Sequence, residues 1–144
     1  MRYIVGFLIL LLFSCKSNKC DLLDNGIFYL YENKEHVGTI YRSDTIQLEF
    51  YNYVDKFVTE VITVKKIKSC NYILKRDMKF NPKDTVTWRF KYIHKKNNVF
   101  KVIGNPDYTN SKNLKTYQAI VKRVTDLDKE NFNKILDTII KLNN

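Results

Sequence analysis

The chain has 144 residues, 44% of them hydrophobic and 14% aromatic, with 25 Lys and Arg against 15 Asp and Glu for a formal charge of +10. That length bounds it to one domain with a modest core. Four glycines in all, one of them in the apolar leader, nearly exclude a glycine-rich phosphate cradle, and the lysines are scattered rather than gathered in the kind of basic block that tracks nucleic acid.

Residues 1–14 read as a secretory leader. Arg2 supplies the charged start, Ile4 to Phe13 an unbroken apolar run of ten, and Leu12-Phe13-Ser14-Cys15 the point where it stops. A transmembrane helix needs about 20 apolar residues, so a spanning anchor is disfavoured. Leu12 three before the cysteine and Ser14 just before it fit a bacterial lipobox, with Phe13 between them less usual. In that pattern diacylglycerol is attached to the thiol before cleavage, which makes Cys15 the lipid-attachment residue and the membrane a partner through it. Two acyl signals give stable anchoring where one gives marginal binding, so the fold itself needs no lipid-binding surface. The alternative is an ordinary cysteine behind a conventional signal peptide, against which Phe13-Ser14 lacks the A-x-A pattern. Cleavage leaves 144 − 14 = 130 residues and a charge of +9, because Arg2 is the only charged residue lost. Residues 15–19 then form a lipidated tether and residues 20–144 a single β-rich domain.

After the tether the pattern turns to period two. Ile46, Leu48 and Phe50 alternate with Gln47 and Glu49, and Val86, Trp88, Phe90 and Tyr92 alternate with Thr85, Thr87, Arg89 and Lys91, as half-buried strands should. Around these two, β-branched and aromatic content predicts strands at Gly26 to Glu32, Val37 to Arg42, Phe57 to Ile67, Cys70 to Arg76, Val99 to Ile103 and Leu114 to Val124. Glu32-Asn33-Lys34, Arg42-Ser43-Asp44, Asn81-Pro82-Lys83 and Lys96-Asn97-Asn98 carry turn residues, and Gly104 to Asn113 reads as one longer irregular loop. Connections this short join antiparallel neighbours, because a parallel crossover takes a dozen residues or more.

The chain closes on an amphipathic helix over about 127–142, capped by Thr125 or Asp126, with Asp128 and Glu130 in its first turn and Phe132, Ile135, Leu136 and Ile139 at helical spacing. Its apolar stripe is expected to pack on the sheet or plug one end of a barrel. The fold class is therefore mainly β: an antiparallel meander of seven or eight strands, curled or closed into a small barrel, with an open sheet covered by the helix as the alternative. Gly26-Ile27-Phe28 is similar to the G-x-W opening of lipocalin-like barrels, with Phe28 in place of tryptophan.

If Cys15 carries lipid, Cys20 and Cys70 remain, in a compartment where disulfides persist, and they are expected to be bonded to each other. Fifty residues apart, without C-x-x-C spacing or a nearby histidine, they make neither a redox motif nor a zinc site. His36 and His94 read as surface residues, and no metal or cofactor is expected. Arg42, Gln47 and Glu49 form the best candidate polar cluster, since Gln47 and Glu49 share one face of one strand; the structural reading is cross-strand pairing that stabilises the sheet by roughly 0.2 to 1 kcal/mol. No G-x-S-x-G, H-E-x-x-H or EF-hand spacing occurs. Tyrosines interleaved with lysines, as in Tyr51, Tyr53 and Lys56, could stack on bases or sugars, but an ordinary strand displays the same residues, and no nucleic-acid partner is expected.

Cys20, then Gly26-x-Phe28, then Arg42-Ser43-Asp44-x-Ile46-Gln47-x-Glu49, then Cys70-x-Tyr72-x-Leu74 resemble a family of small lipoproteins from Flavobacterium and related Bacteroidota. This chain has Ile67 where such relatives tend to carry tryptophan. The family has no established activity, and the label DNA topoisomerase IV that some members carry is rejected here on chemistry: that reaction needs an ATPase domain, or a nucleophilic tyrosine beside an acidic magnesium site, on much longer chains. The resemblance implies a cell-envelope lipoprotein, on the periplasmic face of the outer membrane. The expected function is a non-catalytic binding or envelope-maintenance module whose partner is an envelope protein or glycan. A small ligand-carrying barrel or hydrolase is the alternative, which a deep pocket with buried titratable groups near Glu49 would favour; a core filled by Phe and Tyr would favour the former.

Overall fold

A computed structural model describes residues 19–53, 56–76, 87–107 and 115–143, so the leader, Cys15, the turn expected at Asn81-Pro82-Lys83 and most of the loop expected after Gly104 lie outside the described residues. A short 3-10 helix, Lys19–Leu23, precedes eight strands: β1 Gly26–Glu32, β2 Glu35–Arg42, β3 Ile46–Tyr53, β4 Lys56–Lys68, β5 Asn71–Arg76, β6 Thr87–Lys96, β7 Val99–Pro106 and β8 Tyr117–Thr125. Helix α1, Lys129–Asn143, follows. Each strand pairs antiparallel with the next, and β1 pairs with β8 from Ile27↔Thr125 to Tyr31↔Ile120, so the sheet is a closed up-and-down barrel. Closure leaves no open sheet edge to recruit another chain.

Local chemistry sets the turns. Asn33 and Lys34 both take positive φ, 50° and 73°, which is what a two-residue hairpin needs to match the twist of its strands. Cys70 and Asn97 adopt the same left-handed region, at 63° and 49°, in the turns after β4 and β6. One difference from the sequence reading concerns strand length. Gly104, Asn105 and Pro106 belong to β7 rather than to a loop, with Pro106 at the strand end opposite Trp88. Gly104 has a packing reason to be there: a Cβ would meet the Phe90 ring at 2.4 Å, so the missing side chain makes room for an inward aromatic.

The inward stripe of each strand builds the core. Phe28, Tyr72, Tyr92 and Phe100 fill one end of the barrel, each no more than 4% exposed. The 3-10 helix plugs that end with Leu23, and a disulfide joins its Cys20 to Cys70 with 5.1 Å between Cα atoms. Lys65, Lys91 and Lys122 face out from the wall, where a barrel whose outside meets hydrocarbon carries an apolar band. Among the described residues no helix is long and apolar enough to cross a membrane.

Helix α1 lies on the outside of the barrel wall and plugs neither end. Phe132, Ile135, Leu136 and Ile139 pack with Leu127 on Leu48 and Val61, forming a second apolar cluster beyond the sheet. Its N-cap is Asp128, whose Oδ1 accepts from the backbone N–H groups of Glu130 (3.0 Å) and Asn131 (3.2 Å). The cap expected at Thr125 or Asp126 is thus displaced: Thr125 still pairs in β8, and Asp126 is drawn to Arg123.

Candidate functional site

The coverage by α1 reverses the face of β3. Alternation alone suggests Ile46, Leu48 and Phe50 pointing into the core with Gln47 and Glu49 in water; in the fold Leu48 and Phe50 point outward beneath the helix, and Gln47, Glu49 and Tyr51 point into the barrel. A strand covered on both sides can send its polar residues inward only if each finds a partner. They do so as a ladder. Arg42, opposite Gln47 in the β2–β3 register, donates from Nε to Gln47 Oε1 (2.5 Å). Gln47 Nε2 donates to Glu49 Oε1, and Tyr51 OH donates to Glu49 Oε2.

The guanidinium anchors this ladder at the plugged end. Arg42 is 2% exposed and donates to the Leu23 carbonyl (3.2 Å) and the Tyr92 hydroxyl (2.6 Å). Its carbon lies 5.2 Å from the ring centroids of Tyr72 and Tyr92 and 5.8 Å from that of Phe28, so three aromatic faces help to replace lost hydration. No buried side-chain nitrogen or oxygen among the described residues lacks a partner.

Above the ladder the barrel is not filled. A cavity of about 340 Å³ is bounded by Leu30, Ile62, Leu74 and Val102 on its apolar walls, by Trp88 and Phe90, and by Glu49 and Tyr51 on its polar side. Glu60 and Arg76 also border it, joined as a two-pronged ion pair with Arg76 Nε donating to Oε2 (3.0 Å) and an NH2 group to Oε1 (2.5 Å). Tyr117, at the end of the barrel away from the plug, donates to Glu32 Oε1 (2.6 Å). Ligand pockets fall within about 300 to 1,000 Å³ and have this make-up, mostly apolar with a few placed polar groups.

Electrostatics single out Glu49. Burial pushes its carboxyl above the ordinary 4.5; the Tyr51 hydrogen bond opposes this, the neighbouring Glu60 adds to it, and Gln47 and Arg42 oppose it. Glu60 sits directly across the β3–β4 register, a like-charge pairing that costs stability unless one member is neutralised, as Arg76 does for Glu60. Tyr51 is raised well above the phenol range, by burial first and by the Glu49 charge second, so it stays a hydrogen-bond donor. Tyr51 and Glu49 therefore present a protonated phenol and a carboxyl group to the cavity as hydrogen-bonding groups.

The structure therefore brings Arg42, Gln47 and Glu49 together as one buried array and puts Cys20 with Cys70 at the plugged end, while Cys15 lies outside the described residues. His36 is exposed, His94 Nε2 lies 2.7 Å from the Asn97 carbonyl oxygen, and no metal-holding cluster occurs among the described residues. Sequence reasoning missed Glu60 and Arg76. Their signal was present in the alternation, since Glu60 extends the inward stripe of Ile62 and Val64, and Arg76 that of Tyr72 and Leu74. No protein-family model, curated protein or solved structure matches the chain.

Proposed function

We propose that this protein is a ligand-carrying barrel that holds one small, largely apolar molecule in its interior, with a polar group of that molecule meeting Glu49. The observation that supports the reading is the unfilled half of an otherwise densely packed core: about 340 Å³ bordered by aliphatic walls and a buried carboxylate. Phe and Tyr fill the plugged half, so the plain binding-module reading accounts for that half and the carrier reading for the other. An eight-stranded barrel has an interior just wide enough for side chains or one small ligand.

The carrier is read as a cell-envelope lipoprotein, anchored through Cys15 and facing the periplasm, in keeping with the resemblance to the Bacteroidota lipoproteins. The Cys20–Cys70 disulfide favours an oxidising compartment. Mass spectrometry of membrane fractions should find a thioether lipid on Cys15; native protein that begins at Met1 and fractionates with cytosol would sink this address.

Trp88 is the only tryptophan and borders the cavity, so occupancy has an intrinsic reporter. Titration with the apolar amine N-phenyl-1-naphthylamine should quench Trp88 in a saturable, one-to-one manner. Val102→Phe, which places a ring in the cavity, should abolish that quenching while leaving the circular dichroism and the melting curve close to wild type. Equal binding by the two proteins would overturn the reading.

A further inference from the structure

The plugged end of the barrel carries a surface that the interior site does not use. Leu22 on the 3-10 helix, Ile67 at the end of β4 and Val124 at the end of β8 are 36%, 48% and 44% exposed, all at this end. Around them β4, β6, β7 and β8 present Lys65, Lys68, Lys95, Lys96, Lys101 and Lys122 on the outer wall, and none of these forms an ion pair among the described residues. The acids of the same end are occupied or turned away: Asp21 and Asp24 are held by Lys66 and Asp126 by Arg123, while Asp128 caps α1 beyond β8. Asp44, on the β2–β3 turn, borders the arc at its β4 side, where the neighbouring Thr45 carbonyl accepts from the Val64 N–H (2.8 Å).

From this juxtaposition we infer that the plugged end, along the arc from β4 to β8, is a docking surface for an anionic lipid bilayer. Exposed aliphatic tips ringed by lysines are what an interfacial contact requires, the tips entering the headgroup boundary and the ammonium groups meeting lipid phosphates. The chain itself favours a bilayer over an acidic protein, since Lys19 enters at this same end, four residues after Cys15, where the sequence reading expects the lipid anchor. The contact points the far end of the barrel, with Tyr117 and Glu32, away from the membrane. It needs neither an acyl chain nor an occupied cavity, and so stands apart from the carrier reading.

All strands, the disulfide and the helix lie within residues 19–143, so the chain from residue 15 onward with Cys15→Ser keeps the described fold and lacks a lipid anchor. This protein should sediment with vesicles of phosphatidylglycerol and phosphatidylcholine at low salt, and binding should fall steeply as salt rises. Reversal of single charges by Lys68→Glu, Lys95→Glu or Lys122→Glu should lower the partition coefficient at least about fivefold each, whereas Lys34→Glu, on the hairpin at the opposite end, should leave it within twofold. Ile67→Ser should weaken binding to the same vesicles without altering its salt dependence. Failure to bind anionic vesicles, equal binding to pure phosphatidylcholine, or an equal loss in Lys34→Glu would each overturn the inference, and capture by an acidic protein without vesicle binding would assign the surface to another partner.

Discussion

At the scale of single residues, Arg42 decides the character of the interior. A guanidinium 2% exposed is tolerable only because Gln47, the Leu23 carbonyl, Tyr92 and three ring faces surround it. Arg42→Leu would leave those acceptors unpaired and the Glu49 charge without its distant counter-ion, and should cost about 3 to 5 kcal/mol in urea unfolding. Arg42→Lys keeps the charge but loses the fork, and should fall between the two. Glu49 governs pH behaviour. Its folded-state pKa is raised by burial, so the folded state binds its proton more tightly than the unfolded state and the resulting stability is lost as pH rises from about 4.5 through the folded value. Glu49→Gln should flatten this decline in the urea midpoint between acid and neutral pH; a variant with the wild-type slope would assign the titration to another group. The shared face of Gln47 and Glu49 was legible in the sequence, but its direction was not, because alternation carries no sign when both faces of a strand are covered.

At the scale of elements, α1 is the reason β3 is inverted. Leu48 is fully buried between strand and helix, and Phe132 at 3% exposure is the centre of that contact. Phe132→Ala should cost about 3 to 5 kcal/mol by denaturation and should speed hydrogen exchange in α1 before the barrel strands, since the helix packs on one patch of the wall. Loss of protection in β6 and β7 at the same rate would show that helix and barrel unfold as one unit. The spacing of Phe132, Ile135, Leu136 and Ile139 predicts such a helix from sequence. Where it docks could not be read there, because an apolar stripe states that a surface must be covered and not which one.

At the scale of the molecule, the barrel is closed by hydrogen bonds between its first and last strands and by a covalent link at the plug. Replacing Cys20 and Cys70 by Ser should cost about 4 kcal/mol, the chain-entropy value for a loop of fifty residues, read as a lower urea midpoint that reducing agent reproduces in the wild type. The sequence by itself pointed to a meander of seven or eight strands and a terminal helix, and to Cys20 with Cys70 as the expected pair if Cys15 carries lipid, because short-range periodicity and turn chemistry are properties of neighbours along the chain. Only the tertiary structure decided that β1 meets β8, that Glu60 and Arg76 join Glu49 around a cavity, and that lysines from separate strands share one end. Those are distances between residues far apart in sequence, and they come into being when the sheet closes.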